Sequence, residues 1–258
     1  MTAPGRAPVG IRVVLASQSP ARLATLRAAG ITPLVRVSQV DEDAVLSALP
    51  GGRAFAGGPT APADEVAALA AAKCRAIADG IVSGAIRVYE GDAPALSAGS
   101  GGRGGGPDRL VVIGCDSMLE MDGQMLGKPH SPDVARARIR QMRSRSAVLW
   151  TGHHAAVLDG DAGPRRWRLA GEAGAAASTV VHFGGMSEEE IDAYVDSGEP
   201  LEVAGSFTVD GLGGPFITGI EGDYHSVVGL SLPLMREVLR GLGIFWPDLW
   251  DVRRGTAS

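Results

Sequence analysis

Short apolar runs and amphipathic stretches alternate along the whole chain. Residues 12–16 (RVVLA) and 110–114 (LVVIG) are compact apolar runs bounded by polar or turn residues, the pattern of buried central strands. Segments 147–158 and 165–183 read as longer strands on either side of Asp159-Gly160-Asp161, a hairpin signal. Helical spacing fills the intervals. Ser19 stands as a cap ahead of Pro20, and Gly30 lies just past the periodic stretch. Ser131-Pro132 repeats that start, with Ala135, Ile139 and Met142 on one face. Ser187 and Glu190 form a capping box ahead of Ile191, Tyr194 and Val195. A last helix covers about 232–241. Strands and helices alternate, so the fold class is α/β.

Two stretches break this rhythm: 50–62, and the longer 91–108, so rich in Gly and Ser that ordering it would cost entropy with little to bury. The expected layout is a flexible N-terminus over 1–11, one catalytic domain over 12–245 with a disordered insertion at about 91–108, and a C-terminal tail over 246–258. Within that tail the aromatics near Trp250 read as core or interface packing. A chain of 258 residues is long enough for a sizeable core. Its formal charge of −5 argues against a sequence-independent grip on nucleic acid. No apolar run approaches the ~18 residues of a membrane span, and residues 1–10 lack the apolar core of a signal peptide. Cys74 and Cys115 sit among apolar neighbours and have neither zinc nor disulfide spacing, so they read as reduced core thiols. The expected compartment is the cytoplasm.

Four clusters carry candidate chemistry. Ser17, Ser19 and Arg22 gather at a helix start, where unpaired N–H groups and the helix dipole suit a phosphate. Lys73 falls in the middle of the apolar stripe of 64–80, so its ammonium must find a counter-charge or snorkel out. Asp116 follows the second apolar run, at a strand end where α/β proteins place ligands. The turn Met121-Asp122-Gly123-Gln124 could return Lys128 towards it. Residues 40–44 (VDEDA) supply three carboxylates, one of which could hold a divalent cation. Fixed cations, a helix start and carboxylates are the equipment of phosphoryl chemistry. There is no P-loop pattern, and no GxGxxG followed by a fitting acidic residue. His153 and His154 point to opposite faces of a strand and cannot easily share one ion.

In this order, SxSPxR after the first strand, VDE, a helix Lys, GxDS…GxxLGKP and TGHHAAV resemble the Maf nucleotide pyrophosphatases. So do SEEEIDAYVDSGEPLEVAGSFTVDGLGGPFI (187–217) and GDYHSVVGLSLP (222–233). The resemblance spans about residues 12–240, apart from the insertion. It implies a two-lobed fold, with an elongated, twisted mixed sheet flanked by helices around a central cleft. It also implies hydrolysis of a nucleoside triphosphate substrate to monophosphate and pyrophosphate with a divalent metal, Mg or Mn. By motif position Asp116 is the implied general base. Glu42, Lys73 and Lys128 match the family's charged site residues, and Ser17, Ser19 and Arg22 its phosphate-binding turn. Glu42 and Asp116 are the implied metal ligands. Ala21 departs from members with two arginines. Ser117 and Asp210 stand where the pyrimidine branch has Thr and Gln, and Asp210 where the 7-methyl-GTP branch has Glu. Both are expected to face the substrate, without fixing the base; a carboxylate accepts from a guanine edge and repels carbonyl-rich pyrimidine edges. A homodimer is expected by family analogy alone. The alternative is a nucleotide-binding regulator of septum formation with little turnover; an inosine-triphosphate-type pyrophosphatase is a weaker one.

Overall fold

The apolar runs become the centre of one mixed sheet. A computed structural model describes residues 10–53, 59–88, 109–160 and 166–253, so the expected insertion at 91–108 lies outside the described residues. Among the described residues the strands are β1 (Ile11–Leu15), β2 (Leu34–Val35), β3 (Arg109–Met121), β4 (Gln124–Leu126), β5 (Ser146–Gly160), β6 (Trp167–Phe183) and β7 (Ile217–Glu221). Their order is β2-β1-β3-β5-β6-β7, with β4 paired to β3. β1 runs parallel to β2 and β3, and the remaining pairs are antiparallel. Ile11, assigned above to a flexible terminus, instead opens β1: it is buried and pairs with Arg109.

Helices α1 (Pro20–Ala28), α2 (Glu42–Ser47), α3 (Pro62–Val82), α4 (Pro132–Met142), α5 (Glu188–Asp196), α6 (Tyr224–Val228) and α7 (Leu232–Gly241) flank the sheet. Ser19 caps α1 by accepting from Arg22 N, and Ser187 and Glu190 close both halves of their capping box. Ser131 precedes α4 as expected but makes no side-chain cap bond. The β3–β4 hairpin turns on Asp122 (φ 51°) and Gly123 (φ 73°). Two left-handed residues in succession give the turn whose twist suits paired strands.

Side chains alternate across β3, and the two faces serve different cores. Val111, Ile113 and Cys115 meet Leu15, Met235, Leu239 and Leu249 on one face. On the other, Leu110 and Val112 meet Cys74, Ile77 and Ile81 of α3. A further cluster, around Leu119, Ile139, Ile191 and Phe207, lies under α4 and α5 at the far end of the long strands. Both cysteines are buried, and burial pushes the Cys74 thiol up to about 12 and Cys115 to about 11. Residues 246–253, placed above in a tail, are docked. Leu249 is fully buried, Asp251 N–H donates to Gly30 O, and the Asp251 carboxylate accepts from Thr32. Leu249 fills a hole in the core, which free solvent cannot do.

Two glycines let α3 lie directly on the sheet. A Cβ at Gly114 would come within 2.4 Å of Ala70 O, and one at Gly152 within 2.0 Å of Val66 O. Behind the opposite face, buried His153 accepts a 2.7 Å bond from Ser231 N–H and ties β5 to the start of α7. Burial and the nearby Arg22 charge lower its pKa from 6.5 to about 4.

Two measurements test this packing. Gly114→Ala should lose about 1–3 kcal/mol in urea unfolding, the range for overpacking a tight contact; an unchanged midpoint would mean that α3 does not sit as described. For His153, the unfolded chain takes up its proton near 6.5 and the folded chain only near 4. Stability should be full above about pH 6.5 and fall by roughly 3 kcal/mol as pH drops towards 4. His153→Gln should flatten that slope, and a slope equal to wild type would assign it to other groups.

Candidate active site

Asp116 is placed by the end of a neighbouring strand rather than by the end of its own. β3 continues to Met121, so Asp116 lies inside it, contrary to the strand-end reading; antiparallel pairing with β5 and β4 carries β3 onward. β1 stops at Leu15, opposite Ile113. Between that point and Leu119, where β4 takes up the pairing, one edge of β3 is uncovered, and a cleft of about 1150 Å³ opens against it. Ser17, Ser19, Arg22, Glu42, Lys73, Asp116, Ser117, Lys128 and Asp210 all line this cleft, so every residue singled out from the sequence reaches one cavity.

Asp116 shares a face of β3 with Gly114, the face under α3. The close seat of α3 on Gly114 therefore brings Lys73, one residue before Cys74, over Asp116. The Lys73 ammonium lies 2.6 Å from Asp116 Oδ1 and 2.7 Å from Glu42 Oε1. The inward lysine thus finds two counter-charges instead of snorkelling. Of the three carboxylates in 40–44, only Glu42 does this. Asp41 caps α2 through Ala44 N, and Asp43 meets Arg53 at the surface.

Burial sets the electrostatics of the pair. It pushes the Asp116 carboxyl up, Lys73 and Arg22 pull it back, and the net direction is upward. For Lys73, burial pulls down, but Asp116 and Glu42 outweigh it and hold the ammonium charged. Asp116 Oδ2 is buried and has no hydrogen-bond partner. One Asp116 oxygen is thus pinned by the ammonium while the other is enclosed and unpaired.

The α1 turn holds the other groups. Ser17 Oγ accepts from Ser19 N–H and Arg22 Nη1, and Ser19 Oγ accepts from Arg22 N–H. Those bonds use lone pairs and leave both hydroxyl protons for an acceptor in the cleft. Arg22 stands on this turn as expected, and its guanidinium is engaged within the protein by Gly229 O, Ser17 Oγ, Cys115 O and Ser117 Oγ. Lys128 returns to the cleft by the β3–β4 hairpin, but its ammonium faces Glu202 at 3.5 Å instead of pairing with Asp116. Asp210 is exposed at the cleft wall.

Two cleft residues escaped the sequence reading, Glu202 and Glu199. The Glu199 carboxylate accepts from the Thr208 hydroxyl and from Leu212 and Gly213 N–H, pinning the loop that carries Asp210. Burial favours a raised carboxyl there, but these donors hold it below the usual range. Both lie in one 3-10 turn, Glu199–Glu202, too short to leave a periodic pattern in the sequence.

Lys73→Met would leave Asp116 buried without its counter-charge. The variant should lose on the order of 3 kcal/mol in urea unfolding, as when one partner of a buried pair is removed. A midpoint matching wild type would show that the pair is solvated.

A family model described as Maf-like protein matches residues 12–242. A protein from Nocardia farcinica named nucleoside triphosphate pyrophosphatase is 49% identical over 238 residues, 92% of this chain and 96% of its own length. One of the same name from a Mycobacterium species is 46% identical, covering 93% and 98%. Another, from Cutibacterium acnes, is 43% identical, covering 94% and 96%.

Proposed function

The chain belongs to the Maf family, and from that premise we propose that its cleft hydrolyses nucleoside triphosphates to monophosphate and pyrophosphate. The observation that carries this reading is the Lys73 ammonium held between Asp116 and Glu42 in a cleft that also receives Ser17, Ser19 and Lys128. The pyrophosphatases named above are similar to this chain over more than nine-tenths of its length.

The triphosphate lies along the α1 turn, where the Ser17 and Ser19 hydroxyls and the helix start donate to phosphate oxygens. Lys73 and Lys128 offset its negative charge. Asp116 accepts the proton of the attacking water, and the upward pKa makes it a stronger base than a free aspartate. The Lys73 ammonium beside it favours the ionised form that accepts a proton. Ser117 and Asp210 face the nucleotide, with Asp210 at the wall where a base is read.

The carboxylates fit a divalent cation. Asp116 and Glu42 offer hard oxygen donors, and Mg²⁺ is commonly held by one or two carboxylates plus substrate phosphates. No group of three or more His, Cys, Asp or Glu able to hold a metal occurs among the described residues, so the two carboxylates would share the ion with the phosphates. When bound, the ion supplies Lewis-acid neutralisation of phosphate charge.

A panel of normal and modified nucleoside triphosphates, each with Mg²⁺ or Mn²⁺, should show pyrophosphate release from at least one member. Silence across the panel sinks the proposal. Asp116→Asn should lower turnover by about 10²–10⁴-fold while still binding inorganic triphosphate. Near-wild-type turnover by that variant would remove Asp116 from the chemistry.

A further inference from the structure

Arg22 sits on the phosphate-side turn, yet its guanidinium is directed into the protein. Nε donates to Gly229 O at 2.8 Å, Nη1 to Cys115 O at 2.8 Å and Ser17 Oγ at 3.2 Å, and Nη2 to Ser117 Oγ at 3.1 Å. A guanidinium has five N–H groups, so one is left for the cleft. It cannot present a two-pronged face to a phosphate without breaking bonds to its own chain.

The Cys115 bond explains why the strand edge can stay open. Ala16 N–H donates to Ile113 O, the last rung between the end of β1 and β3. Peptide carbonyls alternate between the two edges of a strand, so the next carbonyl on that edge is Cys115 O. With β1 ended, it would be left without a ladder donor, and a buried backbone acceptor rarely goes unpaired. Arg22 Nη1 takes the place of the missing rung.

Ser117 is held from the same side. Thr151 Oγ1 donates to Ser226 O, so in the 3.1 Å contact between Ser117 and Thr151 the proton comes from Ser117. Ser117 Oγ then has lone pairs to accept from Arg22. The guanidinium thereby grips the carbonyl before Asp116 and the hydroxyl after it. Through Gly229 it ties both to the loop between α6 and α7, whose φ of +117° and lack of a side chain let the carbonyl come close.

We propose that Arg22 is the positioning residue of this site, fixing the backbone on both sides of Asp116 where β1 ends, rather than a ligand of the phosphates. This deepens the reading above and rests on it. A base displaced by about 1 Å loses on the order of 100-fold in rate, whereas loss of a phosphate ligand weakens binding.

The test separates turnover from affinity. Pyrophosphate release is measured with the best substrate of the nucleotide panel, and binding of inorganic triphosphate, which has no base, by calorimetry. For Arg22→Ala, turnover should fall about 100-fold with the triphosphate Kd within about threefold of wild type. Arg22→Lys should behave like the alanine variant, because it keeps the charge and loses the fork. Ser117→Ala, which removes one arm and leaves Arg22 folded against the other three, should lose less turnover and leave Kd unchanged. The clamp is overturned if Arg22→Ala weakens triphosphate binding tenfold or more, or if Arg22→Lys restores turnover. Should wild type release no pyrophosphate, the activity falls, and the clamp stands or falls on the Kd values alone.

Discussion

The organising constraint is a lysine held largely out of water. α3 lies on the sheet through Gly114 and Gly152, and that contact delivers the Lys73 ammonium to the interior edge of the cleft. A charge in that position must be paired. Asp116 from the sheet and Glu42 from α2 supply the pairing, so three elements distant in the chain are fixed relative to one another by a single nitrogen. Desolvation pushes the carboxyl up, and the ammonium pulls it part of the way back. The packing of a helix on two glycines thus decides the chemistry available to a carboxylate.

The second constraint is the unequal length of neighbouring strands. β1 has five residues and β3 thirteen. A sheet with matched strands would bury Asp116 against another backbone. The mismatch leaves an edge, and the edge becomes the cleft floor. His153 and Arg22 tie the loop between α6 and α7, and Thr151 ties α6 itself, back towards this edge through backbone partners.

Much of this was legible in the sequence. Short apolar runs marked the central strands because burial on both faces removes polar alternation, and the caps at Ser19 and Ser187 marked helix starts because their side chains serve unpaired N–H groups. Lys73 was legible because a charge in an apolar stripe demands an explanation. What escaped depended on partners far along the chain. Asp116 read as lying at a strand end, since nothing local tells that β5 carries β3 onward. The inward bonds of Arg22 could not be read, since its four acceptors come from residues 17, 115, 117 and 229. Lys128 reached the cleft as expected, but its nearest acid, Glu202, lies in a short turn with no periodic signature. The packing read from the aromatics near Trp250 is borne out at Leu249, although the tail was drawn to start at 246.

The loop pinned by Glu199 divides into anchors and a tip. Thr208, Leu212 and Gly213 bond the carboxylate, and a side chain at Gly211 would collide with it at 2.6 Å, so those positions are locked. Asp210 stands exposed between them, and its side chain can be exchanged without undoing any of those bonds. Such an arrangement decouples the identity of the group presented to the cavity from the folding of the segment that presents it.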